Sequence, residues 1–319
     1  MRILHLSDLH FVEDDHSPRI ESGNAGPIGN GQLMRNFDRL RGELISADIV
    51  VISGDVTDSG TRAQWSAFTE AVDGYPGLAE KVLLVPGNHD LNYVGSILRT
   101  DTADFYWRSL RNAHFDEVAR GLAGAPVCDP PERISRIDVD DLFPSVRLEK
   151  SVEGATVAIV AINTVSPSIT FGGNAVGRFL TGQTTAVVRR LQHERHPVVV
   201  VGHHHPLPFF DAATAPRSFL GRIRSVLQGA GMESVDGFRF LEELQAAVNQ
   251  PILYLHGHKH IYRSHVDSVS GNRVCGAPSL LFGDESTGDS SCLAVRHMVT
   301  VENGRPVFAS SVVPARGGT

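Results

Sequence analysis

Six short runs of apolar, largely β-branched residues recur along the chain, and five of them lead at their carboxyl ends into acidic, amide or imidazole side chains. The runs are RILHLS (2–7), DIVVIS (48–53), KVLLVP (81–86), TVAIVAI (156–162), PVVVVG (197–202) and ILYLHG (252–257). Continuous apolar character predicts strands covered on both faces, the pattern of a layered α/β protein. Between the strands, apolar residues recur at helical spacing. Leu33, Phe37, Leu40 and Leu44, at intervals of four, three and four, predict one helix with one apolar stripe. Further helices are predicted near 62–73, 182–193 and 237–248, and Asn303-Gly304 within CLAVRHMVTVENGRPVFASSVV predicts a hairpin. Three stretches read as insertions into one domain spanning 1–319: polar, glycine-rich 11–31, then 92–145 with Pro130 and Pro131, and 206–235. Connections of such length at strand ends are functional more often than ordinary turns are.

With 319 residues, 41% of them hydrophobic, the chain can bury a large core. A formal charge of -7 and a pI near 6.1 argue against stable binding along duplex nucleic acid, which needs a basic face. The three cysteines, Cys128, Cys275 and Cys292, are odd in number and widely spaced, which predicts neither a disulfide framework nor a cysteine zinc site and fits the cytoplasm. MRILHLSDLH enters a strand-like run without a basic-then-apolar leader, and the longest apolar stretches, such as ATVAIVAI (155–162), are too short to span a bilayer. A soluble protein without a membrane partner is expected, and an oligomer is left open.

The strand ends carry the chemistry. The first leads to Asp8 and His10, the second to Asp55, the third to Asn88, His89 and Asp90, the fifth to GHHHP (202–206) and the sixth to GHKH (257–260). A lone histidine after a strand is more often structural than a ligand, and a lone Gly-Asp is usually a turn. Five such elements at five strand ends, where open α/β sheets build their sites, are another matter. Carboxylate, imidazole and amide oxygen together suit Mn, Fe, Zn or Co better than Mg or Ca. Residues two apart on an extended segment share a face, so Asp8 with His10, and His258 with His260, are each expected to face a common point. Seven candidates, counting one histidine of GHHHP with Asp8, His10, Asp55, Asn88, His258 and His260, exceed one tetrahedral ion and suit two metals about 3.5–4 Å apart with one carboxylate shared.

This ordered set, D-x-H, G-D, G-N-H-D, H-x-P and G-H-x-H, resembles the calcineurin-like metallophosphoesterases over about residues 1–300. The forms GHHHPLP and GNHD look most like the branch of bacterial cyclic nucleotide phosphodiesterases and glycerophosphodiesterases. The resemblance implies a four-layer α/β/β/α sandwich with two metal ions between the sheets. It implies that Asp8, His10, Asp55 and His260 hold one ion, that Asp55, Asn88, His204 and His258 hold the other, and that Asp55 bridges. His89 is then the catalytic group beside the phosphate rather than a ligand. Because the family ligand stands two residues before proline, His204 is chosen over His203 and His205, which become supporting or packing residues. Lys259 is expected to point away from the clamp.

Two divalent ions, offset by Asp8, Asp55 and one hydroxide, leave about one net positive charge to meet a phosphodiester. The leading expectation is therefore a metal-dependent phosphodiesterase acting on a small phosphoester, cyclic nucleotides among the candidates. A phosphomonoesterase or protein phosphatase is the alternative, and a metal-free scaffold is disfavoured because every candidate ligand is present. Asp58 is read as a helix cap that could instead tune a ligand, Asp90 as the anchor of the GNHD turn, and Phe209 and Phe210 as either core or a stacking surface. Nothing around Asn163 forces a role.

Overall fold

The computed structural model describes residues 1–13, 29–58, 60, 62–90, 143–165, 177–206, 234, 236–283 and 291–314. Cys128, Phe209, Phe210 and most of the three insertions lie outside these residues.

Eleven strands form two sheets among the described residues. The first contains β1 (Arg2–Leu6), β2 (Ile49–Ile52), β3 (Val82–Leu84), β10 (Cys292–Glu302) and β11 (Arg305–Pro314), in the order β11-β10-β1-β2-β3. The second contains β4 (Ser145–Lys150), β5 (Thr156–Ala161), β6 (Val198–Val201), β7 (Ile252–His256), β8 (Arg263–Val266) and β9 (Arg273–Gly276), in the order β4-β5-β6-β7-β9-β8. The strands that lead into the candidate residues are parallel: β1 to β2 to β3 in one sheet, and β5 to β6 to β7 in the other. Their carboxyl ends thus lie along one edge of each sheet.

The unbroken apolar runs follow from this layering. All four valines of β6 are fully buried, but Val198 and Val200 pack toward the helices α4 (Thr181–Leu191) and α5 (Gly237–Val248), while Val199 and Val201 join the core shared with the first sheet. Each such side chain contributes roughly 1.5–3 kcal/mol on burial, on both faces of the strand. On the far side of the first sheet lie α1 (Asn30–Arg39), α2 (Arg41–Ser46) and α3 (Arg62–Asp73), and Arg296 of β10 pairs with Glu43 of α2 at 2.8 Å. Helices, sheet, sheet and helices make the expected four layers. The stripe of Leu33, Phe37, Leu40 and Leu44 is wholly buried but belongs to two helices. Leu40, at φ -89° and ψ 0°, ends the first, and Gly42 just beyond it lowers helix propensity. The hairpin forms as expected, with Glu302 paired to Arg305 and both Asn303 and Gly304 at positive φ. No helix of the described residues is long and apolar enough to cross a membrane.

Candidate metal centre

Five of the seven predicted ligands have left-handed backbones: Asp8, His10, Asp55, His258 and His260, with φ between +50° and +71°. For residues with a Cβ this conformation costs about 1–2 kcal/mol each, so the surroundings must over-determine it. They do. The Asp8 to His10 turn lies on the turn after β2, with Asp8 N–H donating to the Gly54 carbonyl, and Leu9 and His10 N–H both donating to the Asp55 carbonyl. Asp8 in turn accepts from the backbone N–H of His258 at 3.1 Å, and Asp55 from that of His89 at 2.8 Å. Glycine is required where these turns meet. A Cβ on Gly87 would stand 2.1 Å from Asp55 Oδ1, and one on Gly257 would stand 1.7 Å from Ser7 Oγ and 2.6 Å from Asp8 Oδ2.

This backbone corrects the strand-pleat argument for the D-x-H and H-x-H pairs. β1 ends at Leu6 and β7 at His256, so neither pair is extended. Asp8 and His10 still converge, because the left-handed turn brings them together with His260. His260 Nε2 lies 3.4 Å from Asp8 Oδ1 and 3.4 Å from His10 Nε2. His258 diverges from His260 and joins a second group. Its Nδ1 lies 3.1 Å from Asn88 Oδ1, which also has His203 Nε2 at 3.0 Å, and His203 Nε2 is 3.2 Å from Asp55 Oδ2. His203, His204 and His258 offer nitrogens all within 4.8 Å of one another.

Both groups suit cations. Ligand atoms around an ion at about 2.0–2.2 Å sit roughly 3.0–3.4 Å apart, which is the spacing of His260 with Asp8 and His10, and of Asn88 with His258 and His203. Asn88 Oδ1 faces two imidazole nitrogens and two imidazoles face each other nitrogen to nitrogen, while Nε2 of His204 and of His258 are buried without a hydrogen-bond partner among the described residues. Burial holds His204 and His258 well below the usual histidine range, as neutral, ligand-competent imidazoles. Burial opposes ionisation of Asp55, but the neighbouring His203, His89 and His10 outweigh it and hold the carboxyl well below its usual range.

His89 stands at the seam. Its Nδ1–H donates to the Asp58 carbonyl at 2.8 Å and its ring meets His10 edge-on at 4.6 Å, which fixes the orientation of the imidazole. The Asp58 carboxylate lies within 4.8 Å of ring nitrogens of His10 and His89, so this residue belongs to the site. Asp90 anchors the GNHD turn as expected, accepting from the backbone N–H of Gly87, Val56 and Thr57 and from the Thr57 hydroxyl. Burial and the nearby Asp55 charge raise its pKa to about 6.

Two supporting residues, Thr164 and Ser53, escape a motif reading. The Thr164 hydroxyl oxygen accepts from the backbone N–H of His203 and His204 and lies 2.9 Å from His204 Nδ1. The Ser53 carbonyl accepts Nδ1–H of His203 at 2.8 Å. Lys259 is half-buried, and its charge adds to the burial that holds His204 and His258 low. His205 packs edge-on against His256 at 4.5 Å, and Asn163 caps its own turn by accepting from Val165 N–H.

Comparison with known proteins bears on this arrangement. No curated protein sequence matches the chain. Among solved structures, a dimetal phosphatase from Danio rerio is similar over 99% of this chain and 99% of its own, at TM-score 0.56 and 14% identity. A Staphylococcus aureus protein described as a candidate 5′-nucleotidase matches all of this chain at TM-score 0.52 and 15% identity, and the chain spans 55% of its length. GAP50, the anchor in the inner membrane complex of Plasmodium, matches over 100% of this chain and 86% of its own at TM-score 0.51 and 11% identity. At such identities the likeness is one of fold. The sequence model of the calcineurin-like phosphoesterases matches residues 1–262, a span that contains every candidate ligand. The chain therefore belongs to the calcineurin-like phosphoesterase family of metal-dependent phosphoric ester hydrolases.

Proposed function

We propose that the protein is a two-metal phosphodiesterase acting on small phosphodiesters, with Asp8, His10, Asp55 and His260 around one ion, Asp55, Asn88, His204 and His258 around the other, and His89 as the catalytic acid. Bound there, Mn, Fe, Zn or Co would supply positive field for the phosphate and an activated water. The observation that carries the diesterase reading is His89. It is 2% exposed, its Nδ1–H is committed to a carbonyl, its ring lies against His10 of the first group, and its backbone N–H bonds Asp55, the proposed bridge. In hydrolysis the phosphorus gains an oxygen from water and loses the leaving oxygen, and Nε2–H of His89 delivers its proton to that leaving alkoxide. An alkoxide at neutral pH needs such help, typically worth about 10²–10⁴ in rate.

The test is a panel of a nitrophenyl monoester, nitrophenyl and alkyl diesters and cyclic nucleotides, assayed with apoprotein reconstituted with each metal in turn. A kcat/KM for diesters at least about tenfold above that for the monoester is expected, and the reverse order makes the protein a phosphomonoesterase.

A further inference from the structure

Between the two sheets, on a face otherwise built from Ile3, Val51 and Val295, runs a line of polar side chains that belongs to neither candidate ligand group. The Ser310 hydroxyl and His297 Nδ1 are 2.8 Å apart, His297 Nε2 and His5 Nδ1 3.4 Å, His5 Nε2 and Ser53 Oγ 2.8 Å, and Ser53 Oγ donates to Ser7 Oγ at 2.9 Å. His5, His297, Ser53 and Ser7 are wholly buried. Their hydrogen bonds have one consistent order. Since the Ser53 hydroxyl donates to Ser7, it must accept from His5 Nε2–H; His5 Nδ1 then accepts from His297 Nε2–H, and His297 Nδ1 accepts from Ser310, which half-faces solvent beside the Cys275 thiol. Leaving any of these buried groups unpaired would cost about 1–3 kcal/mol, so breaking one link disturbs the next.

The line ends under the candidate metal centre. Ser7 directly precedes Asp8, and Ser53 precedes Gly54-Asp55. The Ser53 carbonyl holds His203 Nδ1, and the Ser7 hydroxyl lies against Gly257, which leads into His258. His5 therefore ties together the three left-handed turns that carry Asp8, Asp55 and His258. We propose that His5 is a positioning residue for the metal centre, acting through Ser53 and Ser7, with His297 and Ser310 fixing its ring. A purely structural line of buried polar groups would matter to stability alone; a tie at this place also sets how well the separated ligands meet an ion. The inference rests on the metal-binding reading above. Losing an outer partner of this kind typically costs about 10–100-fold in metal affinity.

The experiment titrates apoprotein with Mn²⁺ by calorimetry, comparing wild type, His5→Leu, His5→Gln and Ser53→Ala, with thermal unfolding of each apoprotein as a check of folding. His5→Leu is expected to weaken Mn²⁺ binding about 10–100-fold, and His5→Gln, whose amide can still donate to Ser53, to recover most of it. Ser53→Ala, which keeps the carbonyl but cuts the hydroxyl link, should lose affinity in the same direction and carries the test if His5→Leu does not fold. Wild-type affinity in folded His5→Leu or in Ser53→Ala, or a Gln variant as weak as the Leu variant, overturns the tie. Wild-type protein that takes up no Mn²⁺ overturns the metal reading as well, which tells the two failures apart.

Discussion

At the scale of single residues, His89 and the run His203-His204-His205 carry the sharpest expectations. His89 bonds Asp55 through its backbone N–H, which alanine keeps, so His89→Ala should retain most of the bound metal by elemental analysis while losing about 10² or more in rate on alkyl or ribose diesters. The loss on a nitrophenyl diester should be smaller, since that leaving group needs little proton assistance. Metal loss equal to that of Asn88→Ala would make His89 a ligand instead. Among the three histidines, the ligand assigned by resemblance is His204, whose Nε2 is buried and without a hydrogen-bond partner among the described residues, whereas His205 packs on His256. Metal titration should therefore find His204→Ala weaker than His205→Ala by about tenfold or more. A larger loss in His203→Ala than in His204→Ala would move the ligand one residue back, to the nitrogen that lies 3.0 Å from Asn88 Oδ1.

At the scale of elements, the centre depends on turns that no side-chain pattern announces. Gly87→Ala would place a Cβ 2.1 Å from Asp55 Oδ1 and 2.2 Å from Asp55 N, against backbone that cannot withdraw, so a loss of about 1–3 kcal/mol is expected in urea unfolding of the apoprotein. Gly42→Ala in α2 meets nothing within 4 Å and should gain about 0.5–1 kcal/mol. Shifts of the same sign at both positions would contradict the packing described. The contrast also explains what was legible beforehand. Strands such as Val198–Val201 announce themselves because both faces are buried, and the helices at 62–73 and 237–248 because one face is. Ser145–Lys150 does not, because an edge strand in which half-buried Arg147 and Glu149 alternate with exposed Leu148 and Lys150 has no such signature. The break at Leu40 was hidden for the opposite reason: both helices keep the stripe in phase with the core. The motif residues Asp8, His10, Asp55 and Asn88 were readable from position after a strand, but the left-handed turns that bring them together, and the supports Thr164 and Ser53, have no periodic trace.

At the scale of the whole molecule, an unusual number of buried imidazoles ties stability to pH. Burial and then the charge of Arg273 lower the His297 pKa to about 3, and burial holds His5, His204, His256 and His258 well below their usual range as well. For each, the unfolded chain binds a proton more readily than the folded one, so the stability present above pH about 6.5 is lost as pH falls toward the folded pKa. Asp90, raised to about 6, runs the other way: its contribution is present below its unfolded pKa and lost as pH rises through 6. The histidines outnumber it, and apoprotein should weaken on acidification below pH about 6.5. His297→Leu removes one of these sites, so its stability gap from wild type should narrow by about 1.4 kcal/mol per pH unit between pH 6.5 and 5. A gap constant from pH 5 to 8 would contradict the burial of a neutral His297. Metal stoichiometry shows whether the two clusters form one centre bridged by Asp55. After reconstitution with Mn²⁺ and removal of free ion, wild type should hold about two ions per chain and Asp55→Ala fewer than about one. Wild type holding only trace metal, or Asp55→Ala still holding two ions, would contradict it.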